Sequence, residues 1–258
     1  MATPKNLSVQ KAFALLCSFD NPEEWLSNAK LSRRAGMTEA SAHRLIRTLE
    51  GIGAVVRDGR GNYRPGMLLA TLSKAISVGH LIQATSSDTL VTLASHLKSV
   101  VHVGVFENGM VTYTAKIGQQ DDVPVPSRVG AQQEAYSCAL GKVLLSGLQP
   151  QQMEDFLCDG TLVPLTPRTI TTADHLRSEI EAVRQCGYAL DDREVYPWLS
   201  CLAVPVRDAH GGIVAAISLS DNARNLCQTW QEDVIGQLNV ASQAISRKLF
   251  PTFGAMAR

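Results

Sequence analysis

Gly36 stands between two short apolar stripes, and that arrangement constrains the N-terminal quarter of the chain more than any other feature of its 258 residues. Upstream, Ala29, Leu31 and Ala35 mark one face of a short helix over about Asn28 to Ala35. Gly36 closes it, because glycine enters the left-handed region without the steric cost of a Cβ. Downstream, Thr38 is placed to cap a helix that ends at Gly51 and turns Ala42, Leu45, Ile46 and Leu49 inward. An earlier helix, with Ser8 as its expected cap, carries Val9, Ala12, Phe13, Leu16 and Phe19 at three- and four-residue steps. Two short helices joined by a glycine turn, with a third before them, make a helix-turn-helix. Ala54–Val56 and Asn62–Arg64 then flank Arg57-Asp58-Gly59-Arg60-Gly61, a glycine-rich hairpin that reads as a wing with a basic tip.

Charge agrees with that reading. The whole chain is neutral, with 24 Lys+Arg against 24 Asp+Glu, but residues 1–66 hold 10 basic residues against 6 acidic ones. A basic module on an acidic body suits a partner that is a dense line of phosphates, so double-stranded DNA is the expected partner. Ser41, His43, Arg44 and Arg47 lie on the outward side of the third helix, where short polar and cationic groups reach base edges in a major groove. Thr38 opens that face. Arg33 and Arg34 on the second helix, with Arg57 and Arg60 in the wing, are expected to meet phosphates or the minor groove.

Pro65-Gly66 closes this module, so residues 1–66 are assigned to DNA binding, 67–83 to a linker helix and 84–258 to a second domain. The linker stripe, Leu68, Leu69, Leu72 and Ile76, is expected to bury against a second copy of the chain, giving a homodimer or homotetramer. The second domain begins with a helix around Ser87–Leu97. A hairpin follows, with Val101, Val103 and Val105 before Asn108-Gly109 and Val111–Tyr113 after it. Further helices fit Cys138–Leu148, Gln151–Leu157 and Ala173–Gln185. A second hairpin joins Cys201–Val206 to Ile213–Leu219, and a final helix covers about Thr229 to Leu249. Helices beside antiparallel hairpins make an α+β domain.

No apolar run reaches the roughly 18 residues that span a bilayer, and Met1–Lys5 lacks a signal-like stretch, so a cytoplasmic protein with no membrane partner is expected. The six cysteines form no Cys-x-x-Cys pair, which argues for reduced thiols and against a metal site. Neither a Gly-x-Ser-x-Gly elbow nor a Walker loop nor His-Glu-x-x-His is present, so no catalytic role and no cofactor are assigned. The alternatives are a GAF-like small-molecule-binding protein or a cysteine-dependent hydrolase, with Cys201 or Cys138 beside His102 or His210. Neither accounts for the winged module.

Several stretches together resemble the IclR family. In the first half they are Ala35-Gly36-Met37, Ser41-Ala42-His43-Arg44-Leu45, Leu49, Gly51, Gly53 and Tyr63-Arg64-x-Gly66. In the second they are Gly141-Lys142-x-Leu144-Leu145, Gly187-Tyr188, Asp191-Asp192-x-Glu194, Cys201–Val206 and Ala216–Ser220. The resemblance implies a winged helix-turn-helix, a linker helix and a GAF-like effector-binding domain. It also implies a transcriptional repressor or activator whose operator binding answers to a small carboxylic acid, glyoxylate- or pyruvate-like or aromatic. By the same resemblance the acid meets the amides of Ala139 and Leu140 and the side chains of Asp191, Cys201, Ser218 and Ser220, with Gln133 and Leu199 also lining the pocket. Trp198 departs from the family pattern, which has Gly there, and Gln133 replaces an apolar residue.

The residues alone leave more open. Ser218 and Ser220 lie two apart on one strand, so both face the same side, and buried hydroxyls need partners. They either bond neighbouring backbone or serve a ligand. Cys201 reads equally as a packed thiol, and Asp191 as part of a charged turn. Beside an anionic ligand, Asp191 is expected to be protonated or bonded to hydroxyls, because buried like charges repel.

Overall fold

A computed structural model describes residues 6–21, 23–119, 123–225 and 227–251. The Met1–Lys5 segment lies outside the described residues. The chain divides into two compact units, residues 1–77 and 78–251 among those described.

The first unit holds α1 (Leu7–Leu16), α2 (Asn28–Arg34) and α3 (Glu39–Gly51), then strands β1 (Val55–Arg57) and β2 (Tyr63–Pro65) and helix α4 (Met67–Ser73). Asn6 caps α1, accepting from the amides of Ser8 and Val9, so Ser8 is not the cap. The amide carbonyl of Asn6 reaches the first-turn N–H groups from outside the helix, the position a cap must occupy. Ser27 and Thr38 cap α2 and α3 in the same way, and Gly36 between them has φ +62°. Leu15, Leu31, Ala42, Ile46 and Leu49 form the core of the unit with Val55 and Tyr63. Leu26 exchanges two backbone hydrogen bonds with Tyr63, of 2.9 and 2.8 Å, and so adds an edge to the wing that the sequence does not announce.

The helix expected across 67–83 is interrupted. Helix α4 stops at Ser73, where three-residue bonds from Ala75 to Leu72 and Ile76 to Ser73 tighten the last turn. Helix α5 (Val78–Leu97) then runs without a break through the boundary expected at 83–84 and begins well before Ser87, with the Ser86 hydroxyl donating to the carbonyl of Gln83. Leu68 and Leu69 pack on the core of their own winged unit, which corrects the expectation that all four linker residues bury against a partner. Leu72 and Ile76 remain more than half exposed.

The second unit continues from α5 with β3 (Val100–Glu107), β4 (Met110–Ile117), β5 (Gln132–Glu134), α6 (Ala139–Ser146), α7 (Pro150–Asp159), α8 (Ala173–Cys186), β6 (Ala189–Asp192), β7 (Leu199–Arg207), β8 (Ile213–Asn222) and α9 (Gln228–Leu249). The strands form one antiparallel sheet in the order β5-β4-β3-β8-β7-β6. Asn108 and Gly109 turn the first hairpin with φ of +52° and +79°, the conformation that suits a two-residue hairpin loop. Helices α5 and α9 cover one face, burying Leu90, Leu238 and Ile245 against Val101, Val103, Leu202, Val204 and Ile217. Helices α6 and α8 cover the other, where the sheet offers Ala189, Ala203 and Ala216. Small side chains there let α6 approach closely. A Cβ on Gly141 would stand 2.0 Å from the carbonyl oxygen of Ala135, so only glycine fits that turn of the helix.

Candidate functional site

In the winged unit α3 buries Ala42, Ile46 and Leu49 and presents His43, Arg44 and Arg47 outward, with Ser41 half-buried. Thr38 Oγ1 accepts from the Ser41 amide at 3.4 Å, so this hydroxyl is engaged as a cap. Arg47 pairs with Glu50 one turn on, at 2.9 Å, whereas Arg33 and Arg44 are exposed. Asp58 shapes the wing turn by accepting from the amides of Arg60 and Asn62. Arg57 lies over the Tyr63 ring, 5.7 Å from its centre, and Arg60 stands exposed at the tip. Arg34 behaves differently from the expectation of a phosphate contact. Its guanidinium bonds both oxygens of Glu24 at 2.8 Å and the carbonyl of Ser18 at 2.9 Å, tying α2 to the segment after α1. A planar fork matched to a carboxylate in this way is committed to the fold.

In the second unit, Asp191 on β6, Cys201 on β7 and Ser220 on β8 are in-register neighbours. Ser218, two residues earlier, stands between Ala203 on β7 and His102 on β3. Alternation places all of these on the face that carries Ala189, Ala203 and Ala216, beneath α6. Ala139 and Leu140 are buried in the first turn of that helix, which has no side-chain cap at Cys138. Leu199 shares the parity of Cys201 and is 4% exposed. Gln133 sits apart on β5, donating to Ser137 Oγ at 3.2 Å.

Asp191 is a strand residue rather than part of a turn, and it accepts from the Glu194 amide at 2.7 Å. Burial pushes its pKa up to about 7, helped by the nearby Glu194 carboxylate and opposed by that amide and by Lys142. Burial likewise pushes the Cys138 thiol up to about 12 and raises that of Cys201. Both remain thiols at neutral pH, a poor state for nucleophilic attack. Lys142 is neither a solvated side chain nor a source of free positive potential. It is 1% exposed, and its ammonium donates to Glu194 at 2.6 Å, Glu179 at 3.0 Å and the Leu190 carbonyl at 2.9 Å. It therefore locks α6 to α8 and β6.

The sequence offers His102 only as a partner for a cysteine and singles out neither Tyr113 nor Ser127. His102 is buried, with Nε2 2.7 Å from Ser127 Oγ and Nδ1 3.5 Å from Ser220 Oγ. Its ring centre is 5.2 Å from that of Tyr113. Its alternation with Val101, Val103 and Val105 is the signal that it faces the serines' side. A cavity of about 620 Å³ lies beyond the Leu199 end of this face, lined by Pro124, Arg193, Trp198, Asn222 and Arg224 among others. None of the eight residues expected to bind effector lines it. Trp198 is anchored there by donating from Nε1 to the Pro124 carbonyl at 3.1 Å, and it stacks on Tyr196.

Comparison with known proteins fits both units. The C-terminal domain of bacterial IclR transcriptional regulators matches residues 73–247, and the IclR helix-turn-helix domain matches residues 8–59. The chain belongs to the IclR family. It is 29% identical to the HTH-type transcriptional regulator KdgR of Escherichia coli K12 over 245 residues, covering 94% of this chain and 92% of that protein. The regulator XynR of the same organism is 27% identical, with 94% and 96% covered. The crystal structure of Thermotoga maritima IclR superposes with a TM-score of 0.63 at 29% identity, covering 94% of this chain and 98% of that one. As an IclR-family protein it is a DNA-binding transcriptional regulator. Among the described residues no single helix is long and apolar enough to cross a membrane.

Proposed function

We propose that this IclR-family regulator reads its operator with α3 and the wing, and that a small organic acid bound beneath α6 controls that reading. The in-register row Asp191–Cys201–Ser220, with Ser218 in the adjacent row, carries the effector reading. A carboxylate withdrawn from water needs several donors to offset its desolvation. Two serine hydroxyls, a protonated thiol and the first amides of α6 supply them, and the helix dipole adds to their effect. Burial pushes the Asp191 carboxyl up to about 7, so it carries less negative charge beside the anion than an ordinary aspartate would. Glyoxylate- or pyruvate-like acids and aromatic acids are the candidate effectors.

On the DNA side, Ser41, His43 and Arg44 meet base edges, while Arg33, Arg57 and Arg60 meet phosphates. Leu72 and Ile76, at the end of the first unit, are each more than half exposed, and their apolar surface supports pairing of two chains over a two-fold operator. The test is calorimetry with a panel of small acids on the wild type and on a Ser218→Ala, Ser220→Ala double variant, with gel shifts beside it. Loss of acid binding with operator binding intact is expected. An acid bound equally tightly by both proteins places the pocket elsewhere.

A further inference from the structure

The sheet face beneath α6 also holds the His102 imidazole, to which no effector role has been given. We propose that His102 is a specificity-determining residue of the effector site, selecting monocarboxylates that carry a second, neutral hydrogen-bonding group over dicarboxylates. The inference rests on the effector reading above.

Register carries the argument. His102 stands directly opposite Ser218, while its Nδ1 reaches toward Ser220 Oγ, 3.5 Å away. The ring therefore spans both rows that hold the serines. Residues two apart on a strand are about 6.6 Å apart along it, so a carboxylate held between the two hydroxyls lies beside the ring that spans both rows. Ser127 Oγ grips Nε2 at 2.7 Å, and the Tyr113 ring lies alongside. The ring is thus fixed in plane, and Nδ1 is the nitrogen turned toward the serines. Its 3.5 Å separation is at the outer limit of a hydrogen bond, a contact that a ligand hydroxyl or oxo group can replace without loss.

The charges around the ring decide which second group is accepted. Burial, with the Lys116 ammonium, pushes His102 down to about 3, so it presents a neutral ring at physiological pH. Facing it are Ser127 from the 123–131 loop, Tyr113 and Lys116 from β4, Ser218 and Ser220 from β8, and beyond Ser220 the Cys201 thiol and Asp191. The Lys116 ammonium is directed at the carbonyls of Val125 and Ser127, at 2.7 and 2.8 Å. A second carboxylate would therefore meet a neutral imidazole and the Asp191 carboxyl, losing hydration without a counter-charge turned toward it. A hydroxyl meets a matched partner in either tautomer of the ring, and an oxo group does so when Nδ1 carries the proton and Nε2 accepts from Ser127.

The test is calorimetry on the full-length protein with lactate, pyruvate, propionate and malonate, and with benzoate and 4-hydroxybenzoate as a larger pair. The wild type is expected to bind the hydroxy or oxo acid of at least one size class about tenfold tighter than its unsubstituted counterpart, with malonate no tighter than propionate. In His102→Ala that preference falls to near unity while affinity for the unsubstituted acid holds. Ser127→Ala, which releases the ring and lies outside the sheet, is expected to cut the preference in a folded protein should His102→Ala fail to fold. A preference unchanged in both variants overturns the proposal, as does tight malonate binding by the wild type or an equal weakening of all acids. Acid binding that survives in the Ser218→Ala, Ser220→Ala protein overturns the effector site itself. Failure of every acid to bind the wild type overturns both.

Discussion

Ser220 Oγ lies 3.2 Å from Cys201 Sγ across the β7–β8 ladder, and Asp191 stands next in the same row. A thiol held protonated by burial acts here as a weak neutral donor. Cys201→Ala is therefore expected to lower effector affinity about two- to tenfold, the range of one modest hydrogen bond. The same protonation predicts slow alkylation at neutral pH. Iodoacetamide, followed by mass spectrometry, should modify the exposed Cys17, Cys158, Cys186 and Cys227 well before Cys201. Rapid modification of Cys201 would show it to be an activated thiolate.

Asp191 makes stability depend on pH. Its folded pKa of about 7 lies above the ordinary carboxylate value of 3.8. Between those values the folded state keeps a proton that the unfolded state has lost, so the group lowers stability as pH rises from about 4 to 7 and changes nothing further above it. The full effect is at most about 4 kcal/mol. Asp191→Asn keeps an oxygen for the Glu194 amide and removes the titration. Denaturant melts should show its stability relative to wild type rising from pH 5 to pH 8. A difference constant across that range would mean that Asp191 is already ionised at pH 5 in the folded protein.

Lys142 is a buried cation between two carboxylates, and its removal leaves Glu194 uncompensated in the interior. Lys142→Met is expected to destabilise the second unit by about 3–5 kcal/mol, read from the shift in the urea midpoint. Replacing Glu194 by Gln in that background should recover part of the loss, because the orphaned charge is gone. A solvated lysine would give a change within about 0.5 kcal/mol.

Arg44, Arg60 and Arg34 should separate by assay. Arg44→Ala is expected to cost about 1–3 kcal/mol on the cognate operator and to relax its sequence preference. Arg60→Ala should weaken specific and non-specific DNA alike and flatten the salt dependence. Arg34→Ala should lower the melting temperature and leave the salt slope unchanged, since its guanidinium is spent on Glu24 and Ser18. Gel shifts over a salt series, with thermal melts beside them, distinguish the three. A shallower salt slope in Arg34→Ala would return that residue to the DNA interface.

Local chemistry determines how much of this protein its chain reveals by itself. Gly36, Thr38 and the apolar spacing of α3 are signals carried within a few residues, as are Asn108-Gly109 and the turn at Gly59–Gly61, so the helix-turn-helix, the wing and both long hairpins are legible in the chain alone. The placing of Ser218 and Ser220 on one face follows from strand alternation. Tertiary structure decided everything that depends on which distant segments meet. Nothing local indicates that Leu26 pairs with Tyr63, that Arg34 reaches Glu24, or that Lys142 is enclosed by Glu179 and Glu194. His102 is the sharpest case: β3 lies beside β8 because strands 118 residues apart pair. Alternation within β3 tells which face His102 takes, but which residue of β8 it meets is decided only when the apolar patterns of both strands pack together.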